Sequence, residues 1–156
     1  MGNADQQRRV KHVMSRDTVS LPAGATIHDA LKMMTENRVS ALPIVDSRDR
    51  CVGVFTTTDL LDLTRDVDDD VHQIDVVDPV SRRWLVDKLV QSLGHEPVAS
   101  YMSEDVLTVN DTTTLAIAAR DMLRSQVHHL PVVDDKGRLT GIVSTMDILA
   151  EFADGA

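Results

Sequence analysis

Shifting the sequence against itself by 88 positions aligns residues 14–61 with 102–149 without a gap, and sixteen of the 48 aligned positions are identical. About three identities are expected for unrelated sequences of average composition, so the chain contains an internal duplication. The matches include Met14/Met102, Ser15/Ser103, Thr26/Thr114, Met34/Met122, Pro43/Pro131, Gly53/Gly141 and Asp59/Asp147. Ahead of the aligned region, RRVKHV resembles EPVASY, with Val10 matching Val98.

The duplication fixes the unit that must fold. Thr18–Leu21 and Val106–Val109 are short runs of β type. Ile27, Ala30, Leu31 and Met34 then recur at i, i+3, i+4 and i+7, as do Leu115, Ala118, Ala119 and Met122. That spacing predicts an amphipathic helix, with Thr26 and Thr114 placed to cap it. Ala41–Val45 and Cys51–Phe55 are apolar runs split by DSRDR; His129–Val133 and Leu139–Val143 are split by DDKGR, so each pair reads as a hairpin. A second helix starts near Thr57 and Thr145. The fold class is α+β, two β-α-β-β-α repeats expected to pack through their sheets as a pseudo-twofold pair, since one repeat alone would expose an apolar sheet face. The expected organisation is residues 1–64 for the first repeat, 65–97 for an acidic loop and linker helix, and 98–156 for the second repeat. The linker helix should run from Asp78-Pro79, striped by Leu85, Leu89 and Leu93, to Gly94.

Charge and composition exclude several functions. A net charge of −9 repels nucleic-acid phosphates and anionic lipid, so nucleic-acid binding is disfavoured, though a small nucleotide in a locally basic pocket is not. No apolar stretch approaches a membrane span and the N-terminus lacks an apolar leader, which points to the cytoplasm. One cysteine, Cys51, allows neither an internal disulfide nor a structural zinc site. Asp66, Asp68 and Asp70 imitate the opening of a calcium loop, but Val71 replaces the required glycine and Val77 the bidentate glutamate, so a solvated acidic loop is expected. No metal or required cofactor is expected.

The most informative segment is Gly53-Val-Phe-Thr56-Thr57-Thr58-Asp59, repeated as Gly141-Ile-Val-Ser144-Thr145-Met146-Asp147. A glycine within a strand lets something approach the backbone. A hydroxyl and then a carboxylate at a helix start can serve a phosphate and a ribose diol, because free N–H groups and the dipole favour an anion there. The same spacing also fits a capping box, in which Thr56 or Ser144 caps the helix and Asp59 or Asp147 reaches back. Both readings stand on spacing alone. His128 and His129 open the hairpin of the second copy, where the first has Ser40 and Ala41; as a strand end they have no necessary ligand, and as imidazoles they could donate to a phosphate. Pro43 and Pro131 are expected at strand starts or edges.

The repeated pattern of Met-Ser-x-Asp, then Val-x-x-Leu-Pro-x-Val-Asp, then Gly-x-x-[Thr/Ser]-x-x-Asp resembles the cystathionine-β-synthase (CBS) domain, and two in tandem resemble a Bateman module. The resemblance covers both copies. It implies clefts between paired repeats that bind AMP, ADP, ATP or a related adenosyl ligand such as S-adenosylmethionine. It further implies that Asp59 and Asp147 hold ribose hydroxyls, with Thr56 and Ser144 beside ribose or phosphate. Backbone around Thr18-Val19 and Val106-Leu107 would meet the adenine edge. His128, with His129 next to it, would contact phosphate, and Ser40 would be the weaker counterpart of His128. Phe55 and Met146 are bulky for their places in the motif and are expected to narrow a cleft. Such modules often form dimers, so a homodimer is expected.

The function expected on these grounds is a regulatory, energy-sensing module that relays adenine-nucleotide binding to an effector protein. The alternative is a dimerisation or docking scaffold with empty or degenerate clefts. An enzyme is not expected, because neither His28-Asp29 nor His128-His129 builds a coupled acid–base pair or activates a nucleophile.

Overall fold

A computed structural model of the chain describes residues 8–67, 83–84, 87, 91 and 93–154. In chain order the elements are β1 (Leu21–Pro22), α1 (Ile27–Asn37), β2 (Ala41–Val45), β3 (Cys51–Thr56), α2 (Thr57–Val67), α3 (Leu115–Ser125), β4 (His129–Val133), β5 (Leu139–Ser144) and α4 (Thr145–Asp154). Mixed helix and strand, the fold is α+β as the periodicity predicts. Of the expected linker helix, Arg83, Trp84, Asp87, Gln91 and Leu93 are described, all helical, and Gly94 lies in the turn that follows. Asp78, Pro79, Leu85 and Leu89, like Asp68 and Asp70 of the acidic loop, lie outside the described residues.

Helix starts follow the local chemistry. Thr26 Oγ1 accepts from the Asp29 N–H at 3.2 Å while the Asp29 carboxylate accepts from the Thr26 N–H at 3.0 Å, a reciprocal cap that satisfies two otherwise orphaned donors. The Thr26 N–H in turn holds the Asp29 carboxyl below the usual carboxylate range. Thr114 accepts from the Ile117 N–H at 3.4 Å. α1 buries Ile27, Ala30, Leu31 and Met34, and α3 buries Leu115, Ala118 and Met122, the stripes their spacing predicts. Both helices end on a residue in the left-handed region, Arg38 and Gln126.

The hairpins are equally local. β2 and β3 enclose a turn in which Asp46 Oδ1 accepts from the N–H groups of Arg48 and Arg50. Asp134 repeats this with Lys136 and Arg138. The tight turn requires a left-handed residue, which is Gly137 in one hairpin and Asp49 in the other.

The two compact units do not follow the repeats as continuous segments. One unit, here the Asp147 unit, contains the described residues up to Thr18, Val45–Cys51 and those from Asp105 onward; the other, the Asp59 unit, contains Val19–Ile44 and the described part of Val52–Glu104. The segment preceding each repeat therefore packs with the other repeat. Val10 and Val98, each at the start of a short 3₁₀ turn, are fully buried. Val10 N–H donates to Thr113 C=O at 2.8 Å, and Val98 N–H donates to Ala25 C=O at 2.8 Å. In the Asp147 unit the core includes Val10, Met14, Leu115, Ala118, Met122, Leu130, Val132, Val143 and Ile148. In the Asp59 unit it includes Leu21, Ile27, Ala30, Leu31, Met34, Leu42, Ile44, Phe55 and Val98. Most positions are equivalent; the exceptions are Met14, Ile148 and Leu31, whose counterparts Met102, Leu60 and Ala119 are only partly buried.

Three expectations need correction. Pro43 sits mid-strand in β2, the middle strand of the sheet β1-β2-β3, whereas Pro131 sits within β4 of the two-stranded sheet β4-β5 and so on an edge strand, as expected. Pro131 is tolerated because its ring nitrogen faces the point where the parallel pairing stops. Val109 N–H donates to Pro131 C=O at 3.1 Å and Val133 N–H to Val109 C=O at 2.9 Å, but the next bond back needs an N–H that proline lacks. The first strand is also shorter than the β-type runs predict: β1 is Leu21–Pro22, and Val106–Val109 contributes a single bridge, from Val109 to Val132. Phe55 narrows no cleft; it alternates inward with Gly53 on β3 and is completely buried in its core.

The repeated glycine is explained by the same exchange of segments. Ser15 pairs with Ile142 and Ser103 with Val54 through two backbone hydrogen bonds each, at 2.9–3.2 Å. A Cβ on Gly141 would lie 2.6 Å from the Ser15 carbonyl oxygen, whereas a Cβ on Gly53 would overlap the Met102 thioether, the far end of a flexible side chain. Gly141→Ala should therefore cost roughly 1–3 kcal/mol of stability and Gly53→Ala less. Denaturant unfolding of the two variants checks this order, and an equal or reversed order contradicts the backbone-contact explanation.

Candidate functional site

The junctions β3–α2 and β5–α4 carry the repeated hydroxyl and carboxylate. Thr56 N–H donates to Asp59 Oδ2 at 2.8 Å, and Asp59 N–H donates to Thr56 Oγ1 at 3.4 Å. In the other unit Ser144 N–H donates to Asp147 Oδ2 at 2.8 Å, and Asp147 N–H donates to Ser144 Oγ at 3.1 Å. Both are reciprocal caps, so the capping reading of the spacing is realised. A cap of this kind engages one carboxylate oxygen and fixes the orientation of the other.

The second oxygen is where the units differ. Asp59 Oδ1 accepts from the Ser103 hydroxyl at 3.3 Å, a contact that sequence reasoning missed. Its only signal was the repeated Met-Ser pair, whose location depends on a contact 44 residues distant in sequence. Among the described residues no hydrogen bond reaches Asp147 Oδ1.

The segments before β2 and β4 close on the same junctions. Thr57 N–H donates to Ser40 C=O at 3.1 Å, and Thr145 N–H donates to His128 C=O at 3.0 Å. His129 pairs with Ser144 across β4 and β5. The Asp147 unit thus gathers His128, His129, Ser144 and Asp147 at one helix start; the Asp59 unit gathers Ser40, Thr56 and Asp59. His128 is exposed and His129 partly buried. Val106 and Leu107 are partly buried in the Asp147 unit, with Leu107 against its core. Thr18 belongs to that unit as well, its hydroxyl donating to Ser15 C=O at 3.2 Å. Val19 belongs to the Asp59 unit and packs on its core. Met146 points to solvent, 69% exposed.

The groups gathered at these junctions can accept an anion and a hydroxyl donor. Helix N-termini offer positive potential, the imidazoles offer N–H donors, and the carboxylates accept from hydroxyls. Among the described residues no group of three or more His, Cys, Asp or Glu side chains could hold a metal ion. No helix among them is long and apolar enough to cross a membrane.

Burial, and then the neighbouring His128, disfavour the protonated form of His129 against an opposing pull from Asp147, and its pKa is lowered. An unfolded histidine takes up its proton near pH 6.5, and folded His129 does so only at lower pH. Between those points the unfolded chain binds more protons, so the stability contributed by neutral His129 is present above about pH 6.5 and is lost as pH falls below it. Denaturant unfolding at pH 7.5 and pH 5.5 should show a smaller acid loss for His129→Gln than for the wild type. Equal losses would remove His129 as the source.

Comparison with known proteins matches this chain to the family described as the CBS domain, twice, over residues 10–66 and 98–154. CBS domain-containing protein CBSX2 of Arabidopsis thaliana is 30% identical over 128 residues, covering 80% of this chain and 54% of the relative. The chain thus spans about half the length of that protein. A CBS domain-containing protein of Dictyostelium discoideum is 30% identical over 140 residues, covering 90% of this chain and 88% of the relative. Among solved structures, that of CBSX2 in complex with AMP superimposes with a TM-score of 0.72 at 26% identity, covering 94% of this chain and 97% of that one.

Proposed function

The chain belongs to the CBS domain family, and we propose that it is a regulatory module that binds an adenine nucleotide and relays the binding to a partner protein. The observation that carries this reading is the paired carboxylate and hydroxyl at the start of α2 and of α4, joined in one unit by two histidines. A carboxylate oxygen held in place by a cap is a prepared acceptor for a ribose hydroxyl. The adjacent helix N-terminus and imidazole donors suit a phosphate. That CBSX2 is known in complex with AMP favours AMP as the ligand to try first, with ADP, ATP and S-adenosylmethionine as the other adenosyl candidates. The role is regulatory rather than catalytic, since among the described residues no hydrogen bond joins a nucleophile to a base at either junction.

Relay to an effector follows if the ligand binds one arrangement of the chain better than another, because the difference in affinity is the energy available to shift the equilibrium. A cytoplasmic setting and a homodimer complete the reading. The exposed apolar residues Met146, Leu149 and Phe152, at three-residue spacing on α4, support a surface for another protein or another copy. The competing scaffold reading has one observation in its favour: the helix cap alone gives each carboxylate a structural role.

Calorimetry and thermal shift with AMP, ADP, ATP and S-adenosylmethionine separate the two. At a hundredfold excess over Kd, a true ligand adds about 2.7 kcal/mol of stability. The double variant Asp59→Asn, Asp147→Asn keeps a carbonyl oxygen for each cap while replacing the other acceptor by a donor amide. It should bind at least about tenfold more weakly with stability nearly unchanged. Absence of binding by the wild type at sub-millimolar concentration leaves the scaffold.

A further inference from the structure

The duplication supplies an internal control at three places around the candidate junctions. Arg16 follows Ser15 in the lead segment of the Asp147 unit, and Glu104 follows Ser103 in that of the Asp59 unit. His128 and His129 stand where the other repeat has Ser40 and Ala41. Each difference places the more anion-accepting side chain in the Asp147 unit.

The carboxylates differ in the same sense. Asp59 Oδ2 accepts from the Thr56 N–H at 2.8 Å and from the Thr56 hydroxyl at 3.2 Å, and Asp59 Oδ1 accepts from Ser103 Oγ at 3.3 Å. Asp147 Oδ2 accepts from the Ser144 N–H, and Oδ1 is left open among the described residues. The Ser103 backbone is held by two hydrogen bonds to Val54, which keeps its hydroxyl beside Asp59. A ligand hydroxyl arriving at Asp59 must displace an O–H already bonded to it; one arriving at Asp147 meets an open acceptor.

We infer that Ser103 is a specificity-determining residue, an internal hydroxyl standing in for a ribose hydroxyl on Asp59, so that a nucleoside monophosphate takes the Asp147 element first. This rests on the adenine-nucleotide reading and adds to it an order of occupancy and the residue that sets it. Backbone pairing of Ser103 with Val54 needs no side chain, so Ser103→Ala removes the hydroxyl without disturbing that contact.

The test is calorimetric titration of the full chain with AMP. Asp147→Asn should abolish the tighter binding event and Asp59→Asn should leave it. In the Asp147→Asn background only the Asp59 element remains, and adding Ser103→Ala should tighten AMP there by roughly fivefold, the worth of one hydrogen bond no longer in competition. In the Asp59→Asn background the same change should leave affinity unaltered. Equal affinities with and without Ser103 in the Asp147→Asn chain overturn this inference alone, as does loss of the tighter event in Asp59→Asn. Failure of the wild type to bind AMP at all overturns the nucleotide reading and this inference with it.

Discussion

Each repeat ends its hairpin with a strand whose outer edge would present unpaired N–H and C=O groups to water, and in each the segment ahead of the opposite repeat supplies the missing partner. The bonds between Ser15 and Ile142, and between Ser103 and Val54, are two per edge. They stop the edge as a template for pairing with another chain. They also fix the rest of the design. Because these segments come close to β3 and β5, positions 53 and 141 are glycine: a Cβ at 141 would meet the Ser15 carbonyl oxygen and one at 53 the Met102 side chain. Because the same segments bring Val10, Met14 and Val98 into the cores, neither repeat completes its core from its own helices and strands. A single continuous repeat is therefore an incomplete folding unit, which is a physical reason for the two to occur together on one chain.

The exchange also places Ser103 next to Asp59, and so ties the architecture to the candidate site. A carboxylate at the third position of a helix is first a structural device: it takes up the N–H of the capping residue and lies along the positive end of the helix dipole. Using only Oδ2 for that purpose leaves Oδ1 oriented at no further entropic cost. Capping is therefore compatible with the ligand binding proposed for the same side chain, because the cap orients the remaining acceptor. This also means that loss of affinity in an alanine variant would mix the two roles, whereas the asparagine variant separates them.

The parts of this structure legible in the sequence are those fixed by near neighbours. The stripes of α1 and α3, the caps at Thr26 and Thr114, and both hairpins depend on residues close in sequence, and the spacing carries them. The duplication itself was legible because it is a comparison of the chain with itself. What the sequence hid depends on distant contacts. Pro43 points to an edge, and only the pairing of distant segments shows that β2 lies between two strands. Phe55 reads as a neighbour of the site because it is adjacent to Thr56 in sequence, but strand alternation turns its side chain into the core. Gly53 and Gly141 signal close approach without saying what approaches; the answer in both cases is the chain's own lead segment.

The same limit explains why the asymmetry of the site was only half visible. Substitutions between the copies, His128 for Ser40 and Arg16 for Glu104, can be read by lining up the repeats. The two serines are identical in the alignment, and only the fold shows that one of them reaches its aspartate and the other does not. Ser103 brings a hydroxyl to Asp59, while the backbone of Ser15 makes the equivalent pairing with Ile142 and, among the described residues, no hydrogen bond reaches Asp147 Oδ1. Duplication preserves backbone geometry far more strictly than it preserves side-chain contacts, since the backbone bonds constrain every residue that follows. Divergence of function between two such copies is then expected to begin with exposed hydroxyls and charges around a retained carboxylate. Those can change while the cap, the glycine and the core beneath them stay as they are.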